Sequence, residues 1–225
     1  MRGALLALLF VAPTSAALWR ASEQEPPDRG ASGVAGVWSA RDTDTVSAPI
    51  RVPALGAPCG GYCGRERWDV KTLSDPDRDS VDLRPVDATV EELIQLEAEG
   101  VAPGGARYTP VELSVYRVEA YLGGAFQEND GDWHLVLFGL ENQRAHLIAE
   151  IPDPECAGAC RCGFAEAFAE ARQALEERLA QPNPRDEPIR VTVTGVGFFD
   201  RPHGQYGATP NQFELHPVLR IEFEN

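Results

Sequence analysis

The sequence predicts a mainly β (α+β) fold built on a five-stranded barrel, in the order β-β-β-α-β-β, with a short N-terminal strand and helix packed on it. Three observations carry this expectation. From residue 111 onward, β-branched and aromatic residues alternate with polar ones between Gly- and Asn-Asp-Gly turns. One stretch, residues 163–180, switches to helical spacing. Two further strand-like runs follow it.

The chain opens with Arg2 ahead of an apolar run at 4–11, and then Thr14-Ser15-Ala16-Ala17. This layout makes residues 1–17 a signal peptide cleaved after Ala16 or Ala17. The run is too short to cross a bilayer, and no later stretch reaches the ~20 apolar residues that a membrane helix needs. Residues 18–62 are Pro-, Gly- and Ser-rich, without periodicity, and read as a flexible N-terminal segment. The globular domain is therefore expected over 63–225, in a secreted or periplasmic protein.

Within that domain, residues 68–73 alternate as a short strand, and Ser74-Asp75-Pro76-Asp77 turns the chain. Thr89 and Glu92 have capping-box spacing for a short helix through Leu96. Residues 111–126 form a long β run broken at Gly123-Gly124. Asn129-Asp130-Gly131 turns it into 133–138, and Gly139-Leu140-Glu141-Asn142 turns it again into 146–151. Phe164, Phe168, Ala171, Leu175 and Leu179 define the helix, which Gln181-Pro182-Asn183-Pro184 stops. Strands at 189–199 and 215–223 complete the set. Three meandering strands, a helix and two strands is the element order of an OB-fold barrel, and a Gly-broken first strand suits the bend that closure needs. A different small α+β sheet crossed by one helix is the alternative.

The chain has 35 acidic and 20 basic residues, a net charge of −15, which argues against a sequence-blind nucleic-acid binder. A local basic patch would have to come from Arg107, Arg117, Arg144, Arg190 and Arg201. No nucleophile elbow, phosphate loop or dinucleotide fingerprint is present. Cys59, Cys63, Cys156, Cys160 and Cys162 could in principle ligate zinc, but export favours disulfides. One bridge should tie the 59–63 segment to the 156–162 segment, with a second pair local or cross, and one thiol left over.

Strand alternation sorts the polar candidates by face. Trp133, Leu135 and Leu137 should face the core, leaving Asp132, His134 and Val136 outward. Leu147, Ala149 and Ile151 should point inward, leaving His146, Ile148 and Glu150 outward. A hairpin turning about Glu141 would set Asp132 opposite Glu150 and Val136 opposite His146. Facing carboxylates beside His134 call for a cation or proton between them, so Asp132, His134 and Glu150 are the candidate ligands of a divalent metal. Glu214 and His216 repeat the pattern on the last strand, with Leu215, Leu219, Ile221 and Phe223 inward. The loop 200–212 offers His203, Gln205 and Asn211 as hydrogen-bonding groups. Lys71, the only lysine among twenty basic residues, is a further candidate where a compact ammonium matters.

Several stretches carry a resemblance. Arg67-Trp68-Asp69-Val70-Lys71-Thr72, Asp132-Trp133-His134-Leu135-Val136-Leu137, Glu150-Ile151-Pro152, and Gly195-Val196-Gly197-Phe198-Phe199-Asp200 through Glu214-Leu215-His216-Pro217-Val218 are similar to a group of secreted bacterial proteins without an assigned activity. The resemblance spans about residues 63–225 and implies export and a compact β domain. Asp130-Gly131-Asp132 and Pro152-Asp153-Pro154-Glu155 also resemble, remotely, the staphylococcal-nuclease type of OB-fold. That likeness would make Asp132 and Asp153 calcium carboxylates and Glu155 the catalytic glutamate. It departs from the family at His146, where the phosphate-clamping arginine should stand.

Two functional expectations follow: an exported, disulfide-stabilised OB-fold-like module binding an unidentified ligand or protein partner, or a metal-dependent phosphodiesterase or nuclease-like hydrolase. A structural envelope protein is a third.

Overall fold

The computed structural model describes residues 59–61, 63–98, 106–183 and 187–224. The expected signal peptide and nearly all of the expected 18–62 flexible segment lie outside the described residues. The chain is mainly β. Its strands are β1 (Asp82–Ala88), β2 (Ser114–Gln127), β3 (Trp133–Phe138), β4 (His146–Ile151), β5 (Ile189–Phe199) and β6 (Phe213–Phe223). Its helices are α1 (Trp68–Lys71), α2 (Val90–Leu93) and α3 (Ala165–Leu179).

The strands run in the order β1-β2-β3-β4-β6-β5, and β2 also pairs with β5. That extra pairing closes β2, β3, β4, β6 and β5 into a mixed five-stranded barrel, with β1 added in parallel to β2. Closure depends on β2 changing partners along its length. Residues 115–122 pair with β5 and residues 121–127 with β3. The Gly123-Gly124 step is a bulge in a continuous strand, because a bent strand needs small residues at its corner.

Inside, Leu135, Leu137, Leu147, Ala149 and Ile151 from β3 and β4 meet Val191, Val193, Phe213 and Leu215, with Leu175 of α3 on the same core. Phe168, Ala171 and Leu175 are buried as the helical spacing predicts, whereas Leu179, expected on the same stripe, is exposed. The Thr89–Glu92 capping box forms in both directions, and α2 buries Val90 and Leu93.

Five expectations are corrected. Residues 68–73 form the helical turn α1 instead of a strand. Arg67 takes a left-handed backbone (φ 48°), Thr72 N donates to Trp68 O, and Trp68 Nε1 donates to Ala157 O, so the segment docks as a knob. The β3–β4 hairpin pivots on Asn142, not Glu141. Its register sets His134 opposite Glu150, Val136 opposite Ile148 and Phe138 opposite His146. Asn142 O accepts from Ala145 N, and Asn142 N donates to Glu91 on α2, which fixes the longer loop. On β6, a shift near Pro217 turns Val218 into the main core and sends Leu219 to a satellite cluster with Phe164.

The fourth correction concerns the basic patch. Arg107 is buried against Asp75, and Arg117, Arg190 and Arg201 pair with Asp87, Glu119 and Glu66, respectively. Four of the five proposed arginines are thus neutralised by carboxylates. The fifth concerns exposure: Asp132, His134, Glu150, Glu214 and His216 do lie on the strand faces opposite the core, yet all are buried. The 200–212 loop and the α1 segment roof that face.

Cys59 bonds Cys160 and Cys63 bonds Cys156, while Cys162 is a buried free thiol. Both bridges join the two cysteine segments, so neither is local. Paired cysteines of this kind belong to an oxidising, extracytoplasmic environment. No helix among the described residues is long and apolar enough to cross a membrane.

Candidate functional site

The roofed face of the barrel gathers a polar cluster from five chain segments. The β2–β3 turn supplies Glu128 and Asp132, β3 supplies His134, β4 supplies Glu150, β6 supplies Glu214 and His216, and α1 supplies Lys71. Strand pairing places them, since Ile148 of β4 is in register with Glu214 and His134 with Glu150.

Each element is held from outside the cluster. The turn bearing Asp132 closes through Gly131 at φ +90°, and an added Cβ there would stand 2.7 Å from the Asp153 carboxylate. Arg172 of α3 donates to Gly131 O at 2.9 Å. Asp132 Oδ1 accepts from Asp153 N at 2.9 Å, which leaves Oδ2 directed elsewhere. On the lid, Tyr206 O lies 2.8 Å from His134 Nε2, and Gln205 Nε2 donates to Glu150 Oε1 at 3.2 Å.

The charges converge at short range. His134 Nδ1 lies 3.1 Å from Glu150 Oε1 and 3.4 Å from Glu128 Oε1. His216 Nδ1 lies 2.9 Å from Glu150 Oε2, and its Nε2 lies 3.7 Å from Asp132 Oδ2. Lys71 Nζ is 3.4 Å from Asp200 Oδ2 and 5.1 Å from the centroid of the Phe198 ring, whose plane tilts against His216.

Burial and like charge set the proton affinities. Desolvation pushes Asp132 up to about 8 against the opposing field of His216. Desolvation likewise carries Glu214 up to about 7, with Glu150 adding to it. For His216 burial lowers the proton affinity, but Glu150 and Glu214 outweigh it and raise the group to about 9. Burial opposes ionisation of Glu150 too, yet His216, His134 and Lys71 hold it well below the usual carboxylate range. Lys71 is raised: desolvation lowers it, and Glu150, Glu214 and Asp200 overcome that.

Buried carboxylates elsewhere in the fold are satisfied. Glu112 accepts from both terminal nitrogens of Arg67 and from the backbone of Tyr108 and Phe199, and Asp75 accepts twice from Arg107. The cluster differs. Of five buried side-chain polar atoms without a hydrogen-bond partner among the described residues, four are here: Asp132 Oδ2, Glu214 Oε2 and both ring nitrogens of His216. The fifth is Arg67 Nε. Although His216 Nδ1 is near Glu150, the contact is off-angle for a hydrogen bond. Unsatisfied buried polar atoms are rare, and a concentration of them points to a missing ligand, ion or water. Two groups can hold a metal ion: Asp132, Glu150 and His216, and Glu128, His134 and Glu150.

The sequence-based candidates Lys71, Asp132, His134, Glu150, Gln205, Glu214 and His216 come together. His203 stays at the exposed rim, 3.6 Å from Asp200. Asn211 donates to Leu93 O and Leu96 O, so it pins the lid to α2 instead of entering the cluster. Glu155 is exposed and Asp153 braces the turn through backbone contacts. Glu128 and Asp200 were missed by the sequence reading. A hairpin centred on Asp130 puts Phe126 opposite His134, and carrying that register past the turn would have brought Glu128 to the same face.

No protein-family model, curated protein or solved structure matches this chain.

Proposed function

We propose that the protein is an exported, disulfide-stabilised barrel of the OB kind that binds a divalent cation beneath its 200–212 loop. The orphaned atoms of Asp132 and His216 carry this reading. Fully ionised, Asp132, Glu150, Asp200 and Glu214 would outnumber Lys71, His134 and His216, and the metal-free cluster answers that repulsion by holding protons on Asp132 and Glu214. A divalent cation relieves that repulsion, and mixed oxygen and imidazole donors suit first-row metals such as manganese, iron or zinc.

The closed order β2-β3-β4-β6-β5, with α3 between β4 and β5, supports the OB reading. The two disulfides and the signal-like residues 1–17 support export. The resemblance to secreted bacterial proteins points the same way.

Equilibrium dialysis of chelator-treated protein against manganese or zinc tests this reading. Stoichiometric binding that Asp132→Asn reduces by at least one equivalent is the expected result, and no binding by folded protein rejects it.

A metal-dependent hydrolase is the second reading, and Lys71 is the observation in its favour. An ammonium beside the proposed cation could hold an anionic group while the metal activates water. The ligand side chains Asp132, His134, Glu150 and His216 are 1–4% exposed, so turnover would require the lid to open. Phosphodiesterase activity abolished by Glu150→Gln would favour this reading over a binding module.

A further inference from the structure

Resting on the cation reading above, we propose that the cluster is a two-cation centre in which Glu150 is the shared carboxylate. One cation would take Asp132, Glu150 and His216; the other would take Glu128, His134 and Glu150. Within each set, one candidate ligand atom per residue lies within 4.8 Å of the others.

Glu150 has the geometry of a bridge. Its Oε1 meets His134 Nδ1 at 3.1 Å, and its Oε2 meets His216 Nδ1 at 2.9 Å. The two oxygens therefore serve imidazoles on two different strands, β3 and β6.

The second position has its own support in the orientation of His134. Tyr206 O can only accept, so His134 Nε2, 2.8 Å away, carries the hydrogen. That contact turns Nδ1 toward Glu150 Oε1 and Glu128 Oε1, at 3.1 and 3.4 Å. In the metal-free protein a proton on Nδ1 fills that gap, and a cation can take its place. A ring nitrogen tied to a backbone carbonyl is the usual device for aiming the other nitrogen at a metal. Phe126 packs against the His134 ring and, edge-on, against Tyr206, which shields this side. The Glu128 side chain is 37% exposed and gives a cation its entry.

The first position rests on the orphaned Asp132 Oδ2 and on His216, neither of whose ring nitrogens has a hydrogen-bond partner, both on side chains 1% exposed. Neither set needs a ligand from the other except Glu150. The centre is thus divisible by mutation.

The test is titration of chelator-treated full-length protein with Mn²⁺, read by calorimetric stoichiometry and by electron paramagnetic resonance. The expected wild-type result is two equivalents and an exchange-coupled spectrum. His134→Gln and His216→Gln should each retain one equivalent with an uncoupled six-line signal. Glu150→Gln should weaken both sites by about tenfold or more. One equivalent in the wild type, kept by His134→Gln and lost by Asp132→Asn, overturns the pair and leaves the single-cation reading standing. Zero equivalents overturns both. Two equivalents that survive His134→Gln overturn the assignment of the second site. The wild-type stoichiometry and spectrum decide the matter even if a variant fails to fold.

Discussion

Glu150 and His134 are direct cross-strand partners, with the carboxylate Oε1 3.1 Å from the imidazole Nδ1 across the β3–β4 ladder. That pairing makes the cluster a property of hairpin register. It also leaves the second oxygen of Glu150 to meet His216 arriving on β6. Because opposed side chains on a ladder stand about 5 Å apart at Cβ, the pair is close before any ligand arrives. The lid then completes the enclosure with Tyr206 O and Gln205 Nε2.

Removing the Asp132 charge should separate stability from cation binding. Asn keeps the shape and the Oδ1 contact with Asp153 N, while it deletes a charge that burial disfavours. In chelator at pH 9, Asp132→Asn should be more stable than the wild type, by roughly 1 kcal/mol or more. Added Mn²⁺ should raise the wild-type melting temperature by more than that of the variant, which keeps only the Glu128, His134 and Glu150 set. Urea unfolding with and without metal measures both effects.

The metal-free protein should lose stability as pH rises. Asp132 moves from 3.8 to about 8, Glu214 from 4.5 to about 7, and His216 from 6.5 to about 9. All three bind protons more tightly folded than unfolded, so their contribution is present at low pH and disappears as pH climbs through those folded values. Glu150 is shifted the other way, and its contribution is lost only below pH 4.5. Lys71, Glu128, Asp130, His134 and Asp200 face the same cluster and set its background field. Denaturant midpoints should therefore fall between pH 6.5 and 9 in chelator, and the slope should flatten with a saturating cation. A pH-independent midpoint in chelator would contradict this.

The two disulfides should behave as a nested pair. Their separations are 101 and 93 residues, so cutting one leaves the other closing nearly the same long loop. Removing one bridge, as a double Cys→Ser variant, should cost about 2–3 kcal/mol, and removing both about 5 kcal/mol or more. Chemical denaturation of the three variants checks the disproportion.

The lid should loosen with Gly207→Ala. Gly207 has φ +89°, and an added Cβ would stand 2.7 Å from Val136 Cγ2, inside contact distance. The left-handed backbone alone disfavours Ala by about 1 kcal/mol. Faster cation release in stopped-flow chelation, with about 1 kcal/mol lost in global stability, is the expected outcome. Unchanged release would mean that the lid does not limit exchange.

Much of the architecture was legible because period and punctuation agree. The strands β3, β4 and β5 begin and end where alternation and turn residues place them, and Thr89 with Glu92 marks its own helix start. Face assignment was legible too: His134, Glu150, Glu214 and His216 share the non-core face. Their burial was not, since alternation reports which side of a strand a residue takes and nothing about what covers that side. The cover comes from residues 200–212 and from α1, long-range neighbours with no periodic signature. The one-residue difference in the hairpin pivot, Asn142 instead of Glu141, displaced the facing pair from Asp132–Glu150 to His134–Glu150. Residues 68–73 were misread because Trp68, Val70 and Thr72 alternate in burial even within a single helical turn.

The most direct test is anomalous diffraction from crystals of the full-length protein grown with Mn²⁺ or Zn²⁺. A peak within bonding distance of Asp132 Oδ2, Glu150 and His216, beneath an ordered 200–212 loop, is the expected result. A metal-soaked crystal whose cluster is intact but shows no peak there, with Asp132 hydrogen-bonded to another side chain or to water, would contradict the cation reading.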